Sequence, residues 1–349
     1  MERALRLASM LLLGSLAVEA QNANCVSEET GNFLQLNKTN ASAWYNLGEE
    51  LLKNGKYNES LDAYSNAIEM NESYAEAWNH KGKALFNLKR FNESMDCFNR
   101  TIEIDPKFAA AWYNKGNSLA ALDLYNESIE AYEEAILLNS SYYEAWYKKG
   151  NAFRKLSMND NAIEAYDESL KLNSSFSAAW NGKGIALKNK GKYDEAIKAY
   201  DEAIRLNSSY AAAWNNKGWI LHNQKKYDEA IECYDQAIRL DPNYALAWNN
   251  KGATLVDQGK YNESLKASNE SIRLDPNYAK AWCNKGLALK NLGKYEDAIK
   301  SYDEAIQLDP NYVDAWNNKG IALKALGKIA EADAAFAKAK ELGATESGS

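Results

Sequence analysis

Twelve asparagines in this chain are followed two residues later by Ser or Thr: Asn37, Asn40, Asn58, Asn71, Asn92, Asn99, Asn126, Asn139, Asn173, Asn207, Asn262 and Asn269. This is the acceptor pattern for N-glycosylation, which bonds a sugar to the side-chain amide nitrogen. The sequence holds 39 Asn and 30 Ser plus Thr in 349 residues, and chance placement gives only about three such pairs. Little else could do chemistry. His80 and His222 lie far apart, no nucleophile motif accompanies them, and Gly182-Lys183-Gly184 lacks the third glycine and preceding strand of a phosphate-binding loop. Carboxylates recur at helical spacing with lysines nearby, the pattern of a solvated face rather than a cation site. No catalytic residue, cofactor or metal is expected, and a net charge of −7 offers nothing to nucleic acid.

A strict repeat must position these asparagines. Trp44, Trp78, Trp112, Trp146, Trp180, Trp214, Trp248, Trp282 and Trp316 are spaced 34 residues apart. Counting Ala41 as position 1, nine units run without insertion through residue 346. After Trp at position 4 come Gly at position 8 and Leu or Phe at position 11, which is helical spacing. A turn follows, often Gly-Lys-Tyr as at Gly191 to Tyr193. A second apolar stripe then runs through Ile197, Tyr200, Ile204 and Leu206. Asp-Pro or Asn-Ser closes the unit, and Pro disfavours the helical conformation of the residue before it. Two short amphipathic helices per unit are predicted.

In this register the asparagines and hydroxyls toggle together. At position 18, Asn58, Asn92, Asn126 and Asn262 each have Ser two residues on, whereas the other five units have no Asn there and Ala at the second site. At position 31, Asn71, Asn139, Asn173 and Asn207 have Ser two residues on, whereas Asp105, Asp241, Asp275 and Asp309 are followed by Pro and no hydroxyl. Asn99 and Asn269 repeat the pattern at position 25, with Ser169 an exception. Asn and Ser are ordinary cap and turn residues. A cap, however, has no use for the second hydroxyl.

In the unit from Ala279, Trp282, Gly286, Tyr295, Ala298, Tyr302 and Pro310 stand where the tetratricopeptide repeat has its characteristic residues, and residues 41–346 resemble that family throughout. One position departs: Lys precedes the Gly in eight units, where the family usually has Leu. The resemblance implies an all-α, right-handed superhelical α-solenoid of nine tandem helix-turn-helix repeats. First helices would line a concave groove and second helices the outside. It further implies that positions 2, 5, 6, 9, 12 and 13 face the groove, which would be basic in the middle at Lys148, Arg154 and Lys155. Farther on it would be amide-rich and apolar, with Asn215, Asn216, Trp219, His222, Asn249, Asn250 and Asn284. Trp219 is either a groove-exposed anchor or tight packing between first helices. The Asn pairs either hold an extended backbone or solvate the groove. Some family members grip acidic C-terminal tails with a Lys at position 5, which is Tyr, Asn or Cys in every unit here. The recurrent sequons avoid the first helices, so glycans would leave the groove bare.

Residues 1–20 carry Arg3 and Arg6, an apolar run from Leu7 to Val18 and small residues at its end, and read as a secretory signal peptide. Residues 21–40 form an N-terminal segment with a partial capping repeat, and 347–349 a tail. Cys97, Cys233 and Cys283 stand too far apart in the array to pair, and Cys25 is open to a second chain. These features predict an exported scaffold, secreted or at the cell surface, that binds a protein or peptide and has no membrane span in its mature part. Two alternatives stay open: a self-associating structural surface component, and an intracellular adaptor.

Overall fold

The computed structural model describes residues 40–346. The predicted signal peptide, the partial repeat, Cys25, Asn37 and the tail lie outside the described residues. Eighteen α-helices and no strand occupy the described chain. The first helices of the repeats have 13 residues each: α1 Ala41–Lys53, α3 Ala75–Asn87, α5 Ala109–Ala121, α7 Tyr143–Lys155, α9 Ser177–Asn189, α11 Ala211–Asn223, α13 Ala245–Asp257, α15 Ala279–Asn291 and α17 Val313–Ala325. Between them come the second helices: α2 Tyr57–Met70, α4 Phe91–Ile104, α6 Tyr125–Leu138, α8 Asn159–Leu172, α10 Tyr193–Leu206, α12 Tyr227–Leu240, α14 Tyr261–Leu274, α16 Tyr295–Leu308 and α18 Ile329–Glu346. The array forms two compact units, one up to Leu156 and one from Ser157.

Every first helix ends the same way. The residue at position 15 adopts positive φ, and in eight repeats the N–H of position 16 returns to the carbonyl of position 11, as in Lys192 to Leu187 at 3.0 Å. This is the left-handed helix stop that glycine favours. Five units have Gly there, but Lys89, Asp123, Ser157 and Lys225 take the same conformation at φ of 59 to 61°. The fold therefore imposes the turn even where the residue resists it.

The core of each repeat is an aromatic ring seated on a glycine. A Cβ added at Gly48, Gly82, Gly116, Gly184, Gly218, Gly286 or Gly320 would stand 2.5 to 2.8 Å from the Tyr or Phe ring at position 24 of the same repeat. Alanines at positions 3, 20 and 27 keep the helices close, as at the fully buried Ala213, Ala196 and Ala203. The seventh repeat breaks the pattern. Ser268 replaces the ring, and its buried hydroxyl finds no hydrogen-bond partner. There α13 and α15 approach each other over more of their length than any other neighbouring first helices.

Repeats are spliced by Trp at position 4, whose indole N–H in seven repeats donates to the loop carbonyl six residues earlier. Trp78 reaches the Glu72 carbonyl at 3.0 Å, and Trp282 that of Pro276 at 3.0 Å.

Candidate functional site

The position-31 residue makes an Asx turn in both of its forms. Asn71, Asn139, Asn173 and Asn207 accept through Oδ1 from the backbone N–H two residues on, at 3.1 Å in each case. Asp105, Asp241, Asp275 and Asp309 do the same at 3.0 to 3.1 Å. The fold thus uses a side-chain oxygen and a backbone N–H. It has no need of the amide nitrogen or of the hydroxyl that accompanies it.

At position 18, Asn58, Asn92, Asn126 and Asn262 are exposed on the first turn of their helices. The paired Ser60, Ser94, Ser128 and Ser264 are fully buried. Three of those hydroxyls donate to the carbonyl three residues back, and Ser264 donates to the Gly252 carbonyl, all at 2.8 Å. At position 25, Asn99 and Asn269 are also exposed over buried hydroxyls: Thr101 donates to the Cys97 carbonyl and Ser271 to that of Ala245, each at 2.9 Å. Asn40 caps α1, its Oδ1 accepting from the Ser42 N–H at 2.9 Å. Of the described sequon asparagines only Asn173 is half-buried, and none lies within a first helix.

In the first unit, Lys148, Arg154 and Lys155 of α7 come together around a cleft of 430 Å³, with Asn117, Asp123 and Tyr125 on its other side. Burial lowers the Lys148 ammonium below the usual lysine range. Arg154 Nε is enclosed without a hydrogen-bond partner. The cleft is therefore cationic, with Asp123 as its one carboxylate.

In the second unit the amide-rich stretch differs from the expectation. Asn215 and Asn249 are buried, at 2 % and 5 % exposure, rather than presented on an open surface. Their amides instead form a ladder between consecutive first helices. Asn216 Nδ2 donates to Asn181 Oδ1 at 3.1 Å, Asn250 to Asn215 at 3.0 Å, and Asn284 to Asn249 at 2.9 Å. In the first unit Asn114 and Asn79 make the same bond at 3.0 Å. Position 5 is interior because the next first helix covers it, and its amide is satisfied there as buried polar groups must be. Asn216, Asn250 and Asn284 at position 6 are half-buried at the edge of the ladder.

Trp219 is half-buried. One side packs on the cluster of Leu187, Ala196 and Tyr200, and Lys188 Nζ stands 4.8 Å from its ring centroid. His222 Nδ1 lies 3.0 Å from Thr254 Oγ1, and its Nε2 is 3.6 Å from Asp257. Sequence reasoning passed over His80, whose Nε2 sits 3.0 Å from Glu49 beneath Tyr45 and Tyr64. Burial outweighs that carboxylate and lowers the imidazole's pKa. The cysteines Cys97, Cys233 and Cys283 are free and buried, and burial pushes each thiol up to about 11. Among the described residues no cluster of three or more His, Cys, Asp or Glu could hold a metal, and no helix is long and apolar enough to cross a membrane.

A second ladder, also missed, ties second helices to the first helices that follow. Lys at position 7 bridges the acid at position 25 of the preceding repeat: Lys149 to Glu133, Lys183 to Asp167, Lys217 to Asp201, Lys251 to Asp235 and Lys319 to Asp303, at 2.5 to 2.7 Å. The repeated 16-residue Lys-to-acid offset is legible in the sequence. The same lysine usually stands over Trp at position 4, 5.0 to 5.8 Å from the ring centroid.

Comparison with known proteins agrees with this architecture. Sequence-family models described as tetratricopeptide repeat match residues 45–107, 147–209 and 181–245, then 109–142 and 279–312, and also 233–266 and 301–334; one described as TPR repeat matches 252–293. No curated protein matches in sequence. Among solved structures the chain resembles the APC/C hetero-tetramer Cut9–Hcn1, with a TM-score of 0.61 and 17 % identity over 84 % of this chain and 58 % of that one. It is also similar to YrrB, described as a TPR protein with an unusual peptide-binding site (24 % identity, 55 % of this chain and 98 % of that one, TM-score 0.45). MamA is a further match, at 25 % identity over 49 % of this chain and 93 % of that one, TM-score 0.44. With paired helices of fixed length, glycine-seated rings and family matches along the array, the chain belongs to the tetratricopeptide repeat family.

Proposed function

We propose that this protein is an exported, N-glycosylated interaction scaffold that binds a protein or peptide along its first helices. One observation carries the reading. At position 31 the turn is built identically by Asn and Asp, yet Ser accompanies only Asn. Packing gives no reason for that pairing, whereas a glycosylation acceptor requires it. Attachment joins the asparagine Nδ2 to C1 of a sugar and breaks the C1–O bond to a lipid-linked phosphate donor, which leaves with the electron pair as the amide gives up a proton. At positions 18 and 25 the hydroxyl that completes the sequon is buried in the folded chain, so the sugar must be added before the helices form.

The surface left for a partner is that of the first helices. It includes the cationic cleft of Lys148, Arg154 and Lys155, and separately the half-buried Trp219 with its Lys188. Aromatic and cationic side chains of this kind dominate binding energy at interfaces. The fold is that of a binding array, and the proposal gives it no catalytic role.

Peptide mass mapping of protein from its native host tests the reading. A mature N-terminus near Gln21 with sugar on Asn58 and Asn139 is the expected result. Retention of Met1, or bare asparagines throughout a full-coverage map, would overturn it and favour the intracellular adaptor.

A further inference from the structure

The Lys-to-acid ladder fails at three junctions. Ser65 stands where Lys81 would need an acid, Asn99 where Lys115 would, and Asn269 where Lys285 would. Among the described residues neither Lys115 nor Lys285 has a carboxylate within 4.0 Å, although each remains over its tryptophan, at 5.1 and 5.0 Å from the ring centroid. In both of these repeats the residue replacing the acid belongs to a sequon. Beside it lies an open cleft. One, of 610 Å³, is lined by Asn99, Trp112 and Lys115; the other, of 370 Å³, by Asn269, Trp282 and Lys285. Every position lining the smaller cleft recurs in the larger one, five repeats away, with Glu130 in place of Lys300 and Ala131 in place of Ser301. Both volumes fall in the range of roughly 300–1,000 Å³ that small-molecule sites span.

We propose that these two clefts are seats for the first sugar of the glycans on Asn99 and Asn269. This rests on the glycosylation reading above. In the ladder the position-25 side chain reaches to within 2.5 to 2.7 Å of the lysine ammonium. A sugar carried on Nδ2 at that position starts beside the same ammonium, and the half-buried indole lies under it. A pyranose offers hydroxyl oxygens that accept from Lys Nζ. It also offers an apolar face of C–H groups, matched to the negative face of the indole. Burial lowers the Lys115 ammonium's pKa, and although Glu127, Glu130, Glu133 and Glu134 line the same cleft, none pairs with it. The seated sugar would replace the missing ion pair as the tie between consecutive repeats. The asparagines of the sequons at positions 18 and 31 are not among the residues lining either cleft, although Glu127, next to Asn126, lines the larger one.

Hydroxyl-radical footprinting of the glycosylated protein, read by mass spectrometry at each tryptophan, tests the proposal. Site occupancy is mapped in the same sample, and the comparison is the double variant Asn99→Gln, Asn269→Gln from the same host. Both positions are exposed, so the substitutions leave the fold intact. Oxidation of Trp112 and Trp282 is expected to rise several-fold in the variant while Trp78, Trp180 and Trp248 stay unchanged. The control variant Asn58→Gln, Asn262→Gln should move none of them. Equal oxidation with Asn99 and Asn269 occupied overturns the proposal, as does occupancy at Asn58 or Asn139 with Asn99 and Asn269 bare. In both cases the glycosylation reading survives. Bare asparagines at every sequon overturn both.

Discussion

Two identical substitutions should have opposite outcomes. Gly184→Ala places a Cβ 2.5 Å from Cε1 of Tyr200, a ring fully buried on every side. Overfilling of a close-packed core costs about 1–3 kcal/mol, and the better helix propensity of Ala offsets only about 0.5–1 kcal/mol of it. A net loss of roughly 1–2 kcal/mol follows. Gly252→Ala meets one close atom, Ser268 Oγ at 2.9 Å, with the Ser268 N and Ser264 carbonyl at the ordinary contact distances of 3.5 and 3.6 Å. That hydroxyl has no partner and can rotate away, so the propensity gain should survive, at roughly 0–1 kcal/mol of stabilisation. Native-state hydrogen exchange resolves the two locally, which suits an array that need not unfold as one. Amides of α9 and α10 should exchange about tenfold faster in Gly184→Ala, while those of α13 and α14 slow or hold in Gly252→Ala. Equal losses at both sites would show that something other than the ring requires the glycine.

Ser268→Ala removes a buried hydroxyl that lacks a partner, and should stabilise the seventh repeat by about 1 kcal/mol, seen as slower exchange in α14. Asn215→Ala leaves the Asn250 amide without its acceptor at a buried junction and should cost about 1–3 kcal/mol, measured as a fall in the denaturant midpoint of α11 and α13 exchange. Lys225→Gly relieves a side chain held at φ 61° and should stabilise by about 1 kcal/mol, whereas Gly191→Lys at φ 73° should cost a similar amount; thermal scans of the pair check the sign. Cys97, Cys233 and Cys283, with thiols raised by burial, should resist alkylation at neutral pH, each reacting as its own repeat unfolds.

The fold was legible because the period is undisturbed. A Trp every 34 residues, a Gly four residues after it and an aromatic sixteen residues after that Gly are enough to place two helices and the contact between them. The site was legible only in part. Lys148, Arg154 and Lys155 share a cleft because they lie on the last turns of one helix face, which spacing predicts. Asn215 and Asn249 look like their neighbours Asn216 and Asn250 in sequence. Only the approach of the next first helix distinguishes a buried strut from a surface amide, and that is a tertiary fact. Likewise the toggle of Asn with Ser was visible, but not that Ser60 or Thr101 would be sealed inside the folded repeat.

The missing ring at Ser268 bears on how the array comes apart. In a solenoid each repeat leans only on its neighbours, so cooperativity passes along a line and is limited by its weakest junction. A buried aromatic replaced by a small residue forfeits about 3–5 kcal/mol in an ordinary core. The closer approach of α13 and α15 recovers some of that loss, and the unpartnered hydroxyl adds to it. Warmed gradually, the chain should loosen first within the seventh repeat, where α14 leaves α13, while α13 and α15 keep their closer contact. A soft seventh repeat would let the last two repeats unfold without drawing with them the surface formed by the others.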